Sequence, residues 1–323
     1  METISCIFCG CSDRQVVITE NGYTGVKCTA CRLIYITPRP SAHEVVATYS
    51  DTGAAKYANI HLHFAAVYRR QAMQTLSKIR GFLPSGSILE LGPGSGAFLL
   101  TAKELGYDVA GIELNPYEAA WLKDTCGLSC ENTPLSAASF GGRRFDLIYH
   151  RDVLSHLHDP IAVFKAINRT LRPGGWLVFE TGNTGDLDRK YYKYFAQFLY
   201  PDHLFFFGER SIEKLLAKAS FRLEQIQRIN ILPRLIIERM LWKLRRLLRE
   251  AEPVAAAPAT APNRSSSSPR RTLKRKIREW YRRFDGGLAA CGRFLPSAGR
   301  PCKLLVFAQK VHEAPVTSGA HGD

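Results

Sequence analysis

Ser87-Ile88-Leu89-Glu90-Leu91-Gly92-Pro93-Gly94-Ser95-Gly96-Ala97-Phe98-Leu99-Leu100 decides the reading of this chain. Ser87–Leu91 is a short apolar run, Ala97–Leu105 has helical character, and three glycines stand between them. Glycine lets a backbone turn sharply and lets a ligand approach it closely, so the stretch predicts a strand, a ligand-facing turn and a helix. A Gly-rich turn by itself also fits a plain tight β–α connection. About twenty residues on, Gly111-Ile112-Glu113-Leu114-Asn115 ends a second apolar run with a carboxylate, which can accept both hydrogen bonds of a ribose diol. No third glycine follows at the G-x-G-x-x-G spacing, which argues against a nicotinamide dinucleotide.

Outward from this core the pattern alternates. Val109–Leu114, Leu128–Cys130, Phe145–Tyr149, Trp176–Glu180, Leu223–Ile229 and Leu304–Gln309 read as strands. Pro116 suits the first turn of a helix, Pro160–Leu171 is helical and stops at Arg172-Pro173-Gly174-Gly175, and Ser211–Ala219 is helical. Such alternation predicts an α/β fold with a mainly parallel sheet covered on both faces.

The combination resembles the class I S-adenosylmethionine (SAM) methyltransferases. Ile88–Gly96 resembles the family's first motif, Glu113 its ribose-binding acid, Phe145–Pro160 its fourth-strand segment and Leu171–Gly175 the turn before its fifth strand. The resemblance covers roughly 85–228 plus 304–310. It implies a Rossmann-like seven-stranded sheet with the last strand antiparallel, and SAM as cofactor. The implied cofactor-binding residues are Glu90, Gly92, Gly94 and Gly96, with the three glycines at the methionine end. Glu113 is on the ribose, Leu114 and Asn115 after it are also cofactor-binding, and Arg151 and Asp152 flank the reactive end. One departure is visible: Cys130-Glu131-Asn132-Thr133-Pro134 offers no clear counterpart of the family's adenine-binding acid.

Cys6-x-x-Cys9 and Cys28-x-x-Cys31 have the spacing of a four-thiolate zinc site. A closed tetrahedral Zn²⁺ would be structural, and a head of about forty residues has too little core to fold without such help. Cys31–Ser41, which contains the stiff Thr37-Pro38-Arg39-Pro40, resembles the cysteine-knuckle head of a bacterial methyltransferase subgroup acting on sugars, nucleotide-linked sugars, lipids or secondary metabolites. The expected organisation is a zinc-ribbon-like module over 1–40, a helical linker or cofactor lid over 41–84 and the SAM-binding core over 85–228. A basic insertion over 229–300 (with a disordered linker over 251–269), a last strand over 301–312 and a tail over 313–323 complete it.

The net charge of +15 is concentrated: 228–300 holds 18 Lys/Arg and 5 Asp/Glu, leaving +2 for the rest. Ile231–Glu250 and Leu273–Phe284 are basic and amphipathic, with Leu, Trp and Met opposite Lys and Arg, the pattern of an interfacial membrane helix. In the resembled fold the connection between the last two strands lies at the cofactor edge. No apolar run reaches eighteen residues, and the amino terminus has no basic n-region or apolar h-region. With reduced cysteine pairs, this predicts a cytoplasmic protein, peripheral on the inner face of the plasma membrane. The expected partners are a small-molecule, glycan or lipid-linked acceptor and an anionic membrane surface. An RNA methyltransferase and a non-catalytic zinc-dependent adaptor on the same fold are the alternatives.

Methyl transfer is an in-line displacement that depends on positioning, and an oxygen or acidic-carbon acceptor also needs a base. His203, in Tyr200-Pro201-Asp202-His203-Leu204, is the first candidate, with Asp202 to orient it. His156 is the second, as a brace or base of the loop after the fourth strand.

Overall fold

The computed structural model describes residues 1–50, 65–195, 197–237, 239–240 and 296–311. Strands β1 (Arg14–Glu20), β2 (Tyr23–Cys28) and β3 (Ile34–Ile36) are followed by helices α1 (Ala42–Ser50) and α2 (Ala65–Ile79). Then come β4 (Ser87–Leu91), α3 (Ala97–Glu104), β5 (Asp108–Ile112), α4 (Pro116–Ala120) and β6 (Ser129–Glu131). β7 (Phe145–Arg151), α5 (Pro160–Thr170), β8 (Leu171–Gly182), β9 (Phe205–Phe206), α6 (Glu209–Lys218), β10 (Phe221–Asn230) and β11 (Cys302–Lys310) complete the order.

Seven strands form one sheet in the order β10-β11-β8-β7-β4-β5-β6. β4 pairs in parallel with β5 and β7, β5 with β6 and β7 with β8, while β11 runs antiparallel to β8. This is the α/β sheet with a reversed last strand that the motif order implies. All five residues of β4 are buried, because a central parallel strand meets helices on both faces. α3 docks through Phe98, whose ring stacks on Tyr149 of β7 at 3.8 Å between centroids. Arg172-Pro173-Gly174-Gly175, read from sequence as a turn, lies within β8, where the β7–β8 register shifts between Phe145 and Leu147.

The amino-terminal head is a second sheet, β1-β2-β3-β9, all of whose pairs are antiparallel. Its fourth strand comes from Phe205–Phe206, paired with Ile34 and Tyr35. The boundary expected at residue 40 therefore does not separate this sheet from the rest of the chain. Arg39 is buried, donating to Glu2 at 2.7 Å and to the His158 carbonyl at 2.8 Å, with its guanidinium over the Phe205 ring.

The chain divides into two compact units, Leu187–Ala196 with Arg228–Cys302 forming the second. In that unit Arg239 lies over Tyr194, and Asn230 donates to the Pro296 carbonyl at 2.7 Å. Of the two basic amphipathic stretches, residues 232–237 are helical, Leu273–Phe284 lies outside the described residues, and so does the 251–269 linker. No helix among the described residues is long and apolar enough to cross a membrane.

β7 also buries His150 completely, stacked on Phe179 at 4.9 Å, with neither ring nitrogen hydrogen-bonded. Burial pushes its pKa down to about 3. The unfolded chain takes up this proton near pH 6.5 while the folded chain does not, so acid favours unfolding. Stability is expected to fall by about 1.4 kcal/mol per pH unit below pH 6.5 until about pH 3. His150→Phe removes that slope and leaves no orphaned polar ring. Denaturant titrations of both proteins at pH 7 and pH 5 check this, since equal slopes would exclude His150 as the source.

Candidate active site

The loop after β4 takes the conformation its glycines permit. Gly92, Gly94 and Gly96 have φ of 67°, 53° and 76°, the left-handed region that disfavours side chains. A Cβ on Gly92 would stand 3.0 Å from Val153, and one on Gly96 would stand 2.5 Å from Leu122. Glu113, one residue past β5, is buried and faces this loop. One carboxylate oxygen accepts from the Gly94 amide at 3.0 Å and the other from the Asn115 amide at 2.9 Å. An ionised carboxylate accepts about four hydrogen bonds, so anchoring the loop and accepting from a diol are compatible. Asn115 has a further task that periodicity does not reveal: its side-chain oxygen caps α4, accepting from Tyr117 and Glu118. Leu114 is half-buried between them.

Glu90, the penultimate residue of β4, is 4% exposed, and its Oε2 has no hydrogen-bond partner. Burial raises its pKa to about 8, against the pull of Arg151. Such a carboxyl beside a glycine loop fits a cationic group, as the sulfonium and ammonium of SAM require. At the end of β7, Arg151 donates to Gln71 at 2.9 Å and stacks over Tyr68, both on α2. Glu180 of β8 accepts from Tyr149 at 3.1 Å and from Thr75 at 3.3 Å. Helix α2 is thus tied to the carboxyl edge of β7 and β8. Asp152 follows with φ of 55°, strain held by its amide on the Glu180 carbonyl and its carboxylate on Lys303 at 2.9 Å. Gln71, Thr75, Glu180 and Lys303 carry no motif, and sequence reasoning missed them.

The candidate histidines meet. The rings of His156 and His203 are edge to face, 4.6 Å between centroids. Asp202, which sequence adjacency assigns to His203, instead lies 3.0 Å from Nδ1 of His156. The Asp202 carbonyl oxygen is also 3.1 Å from that nitrogen. Both neighbours are acceptors, so Nδ1 is the nitrogen that donates to them. Burial and the neighbouring His156 push the pKa of His203 down to about 4, which keeps its ring neutral near pH 7. β4 and β7 are parallel neighbours, so the glycine loop and the His156 loop leave the same sheet edge.

At the head, Cys6, Cys9, Cys28 and Cys31 converge, with Sγ separations of 3.0 Å for Cys6–Cys31 and 3.6 Å for Cys9–Cys28. A tetrahedral Zn–S₄ centre has sulfur–sulfur edges of ~3.8 Å from its bond length. Burial pushes the Cys28 thiol up, but the Cys31 amide and Cys9 bring it down to about 7. Cys11 bonds to the Asp13 carbonyl instead.

A family model described as a methyltransferase domain matches residues 62–226, just over half of the chain. The chain belongs to this methyltransferase family. Methyltransferase str2 of Strobilurus tenacellus is 39% identical over 95 residues, covering 29% of this chain and 34% of that protein. A ubiquinone biosynthesis O-methyltransferase of Cereibacter sphaeroides is 31% identical over 101 residues, covering 30% and 41%. The methyltransferase thus matches less than half the length of either relative. The 1,6-didemethyltoxoflavin-N1-methyltransferase of Burkholderia thailandensis, solved with S-adenosylhomocysteine, shares the fold. Its TM-score is 0.50 and its identity 17%, with 92% of this chain and 100% of that one covered. Family and fold are those of class I SAM-dependent methyltransferases.

Proposed function

We propose that this methyltransferase moves the methyl group of SAM to a small-molecule acceptor that must lose a proton as it is methylated. The observation that carries this reading is the placement of a hydrogen-bonded Asp202–His156 pair at the edge that also bears the glycine loop. Gly92, Gly94 and Gly96, with Glu90, would hold the methionine end, and Glu113 the ribose; SAM supplies the electrophilic methyl group. Asp202 fixes the His156 tautomer, and Nε2 of His156 takes the acceptor's proton. His203, neutral and packed edge to face, keeps the His156 ring in place. Arg151, bonded to Gln71 and stacked over Tyr68, would shield this edge from water.

One named relative is a ubiquinone biosynthesis O-methyltransferase, which supports a small-molecule acceptor. The four converging thiols support a structural Zn²⁺ in the head. The basic amphipathic stretches support an anionic surface as a further partner and an acceptor that partitions into it.

The test is turnover of labelled SAM with quinol, phenol and lipid-linked acceptors, with and without anionic vesicles. His156→Ala is expected to lower kcat by about 10²- to 10⁴-fold while SAM affinity stays within twofold. Full activity in that variant would remove the proton-transfer role. Stimulation by vesicles would mark an acceptor held at a surface.

A further inference from the structure

The loop that carries Asp202 and His203 is not held by the methyltransferase core alone. Glu20, the last residue of β1 in the head sheet, reaches it across 178 positions of sequence. One carboxylate oxygen accepts from the Phe198 amide at 2.7 Å, and the other accepts from Leu199 at 3.0 Å and Tyr200 at 3.3 Å. Three consecutive amides turned toward one carboxylate form an anion nest, and amides so arranged cannot satisfy one another. Leu199, in the middle, has φ of 64°, a conformation costly for a side chain and held here by its surroundings. The next residue of the hairpin joins in, with Asn21 donating to the Tyr200 carbonyl at 2.8 Å.

From this nest the chain runs directly into the site. The His203 amide bonds back to the Leu199 carbonyl at 3.0 Å, so the geometry of Leu199 sets where Asp202 and His203 fall. The Leu204 amide then bonds to the Ser155 carbonyl at 2.8 Å, beside His156, and the Ile36 amide bonds to the Leu204 carbonyl at 3.0 Å. The head hairpin and strand β3 thus grip both ends of the Leu199–Leu204 segment.

We propose that Glu20 is a positioning residue for the acceptor site: its carboxylate, on the amino-terminal hairpin, shapes the 198–203 loop so that Asp202 reaches His156. The head is then a working part of the acceptor site, not a separate appendage. Glu20 touches neither cofactor nor acceptor and acts through Asp202. The consequence for turnover rests on the proposed methyl transfer, while the placement of Asp202 does not.

Both parts can be read in the full-length protein. Glu20→Ala is expected to lower kcat about a hundredfold and Glu20→Gln about tenfold, since small misplacements of a catalytic group cost that much. SAM affinity by calorimetry stays within twofold in both. A general folding defect would lower both quantities together and would overturn the proposal. The second readout needs no turnover: the imidazole resonances of His156 are followed by NMR against pH. In Glu20→Ala the His156 titration moves toward that of Asp202→Asn. A His156 titration unchanged from wild type in Glu20→Ala would also overturn the proposal. If wild type binds SAM but methylates nothing, yet His156 still responds to Glu20, the positioning role stands and the methyl-transfer reading falls.

Discussion

Glu113→Ala is expected to weaken SAM binding about a hundredfold and to carry kcat/KM down with it. The carboxylate holds the amide of Gly94 in the glycine loop and the amide of Asn115 at the start of α4. Hydrogen bonds to a charged acceptor contribute about 1.5–3 kcal/mol each, so losing one such pair in a buried place accounts for about 3 kcal/mol. The loss falls where the loop must present its backbone, so the glycines lose their shape together with the acceptor for the ribose. Glu113→Gln keeps one acceptor oxygen but brings an amino group against an amide donor, and it is expected to fall between. Calorimetry with SAM and with S-adenosylhomocysteine measures this. Equal losses for the two ligands place Glu113 on a part that they share rather than on the transferable methyl group, and wild-type affinity in Glu113→Ala would remove it from the cofactor site.

The second large effect concerns the head. Stripping the metal proposed at Cys6, Cys9, Cys28 and Cys31 is expected to unfold β1 and the two cysteine knuckles, because β1 has no fully buried residue while Cys6, Cys28 and Cys31 are buried. Structural zinc contributes about 10–16 kcal/mol of apparent binding free energy, more than a module of this size can replace. Elemental analysis is expected to find one zinc per chain and none bound in Cys28→Ser. Limited proteolysis is expected to cut between Arg14 and Cys28 only after chelation. A metal-free wild type with the same cutting pattern would show the thiols to be ordinary reduced cysteines. Since Glu20 lies on β1, chelation is also expected to slow methyl transfer while sparing SAM affinity.

What was legible in the sequence is what local chemistry dictates. Glycine conformation at 92, 94 and 96, the apolar run of β4 and the two cysteine knuckles each depend on residues within a few positions of one another. Glu113 was legible because a parallel pair places the end of β5 beside the end of β4. The pairing of Asp202 with His156 was not, because adjacency in sequence says nothing about which ring a carboxylate faces. Nor was the bond from Glu20 to the Phe198–Tyr200 amides, since nothing local marks an exposed-looking Glu-Asn-Gly turn as a clamp. Asn115 illustrates a mixed case. Its place after a strand and before Pro116 suits a helix cap, and the cofactor motif drew attention from that simpler role.

The fourth strand of the head sheet, Phe205–Phe206, is made roughly 170 residues after the third. On a ribosome adding about 5–20 residues per second, the hairpin waits roughly ten to thirty seconds for its partner. Throughout that interval the edge of β3 is uncovered, and the thiols of Cys6, Cys9, Cys28 and Cys31 are within reach of oxidants and of one another. With the proposed zinc as the ligand of those thiols, a newborn chain would need its metal well before its catalytic core exists, and metal scarcity would be felt first as lost yield rather than as slow turnover.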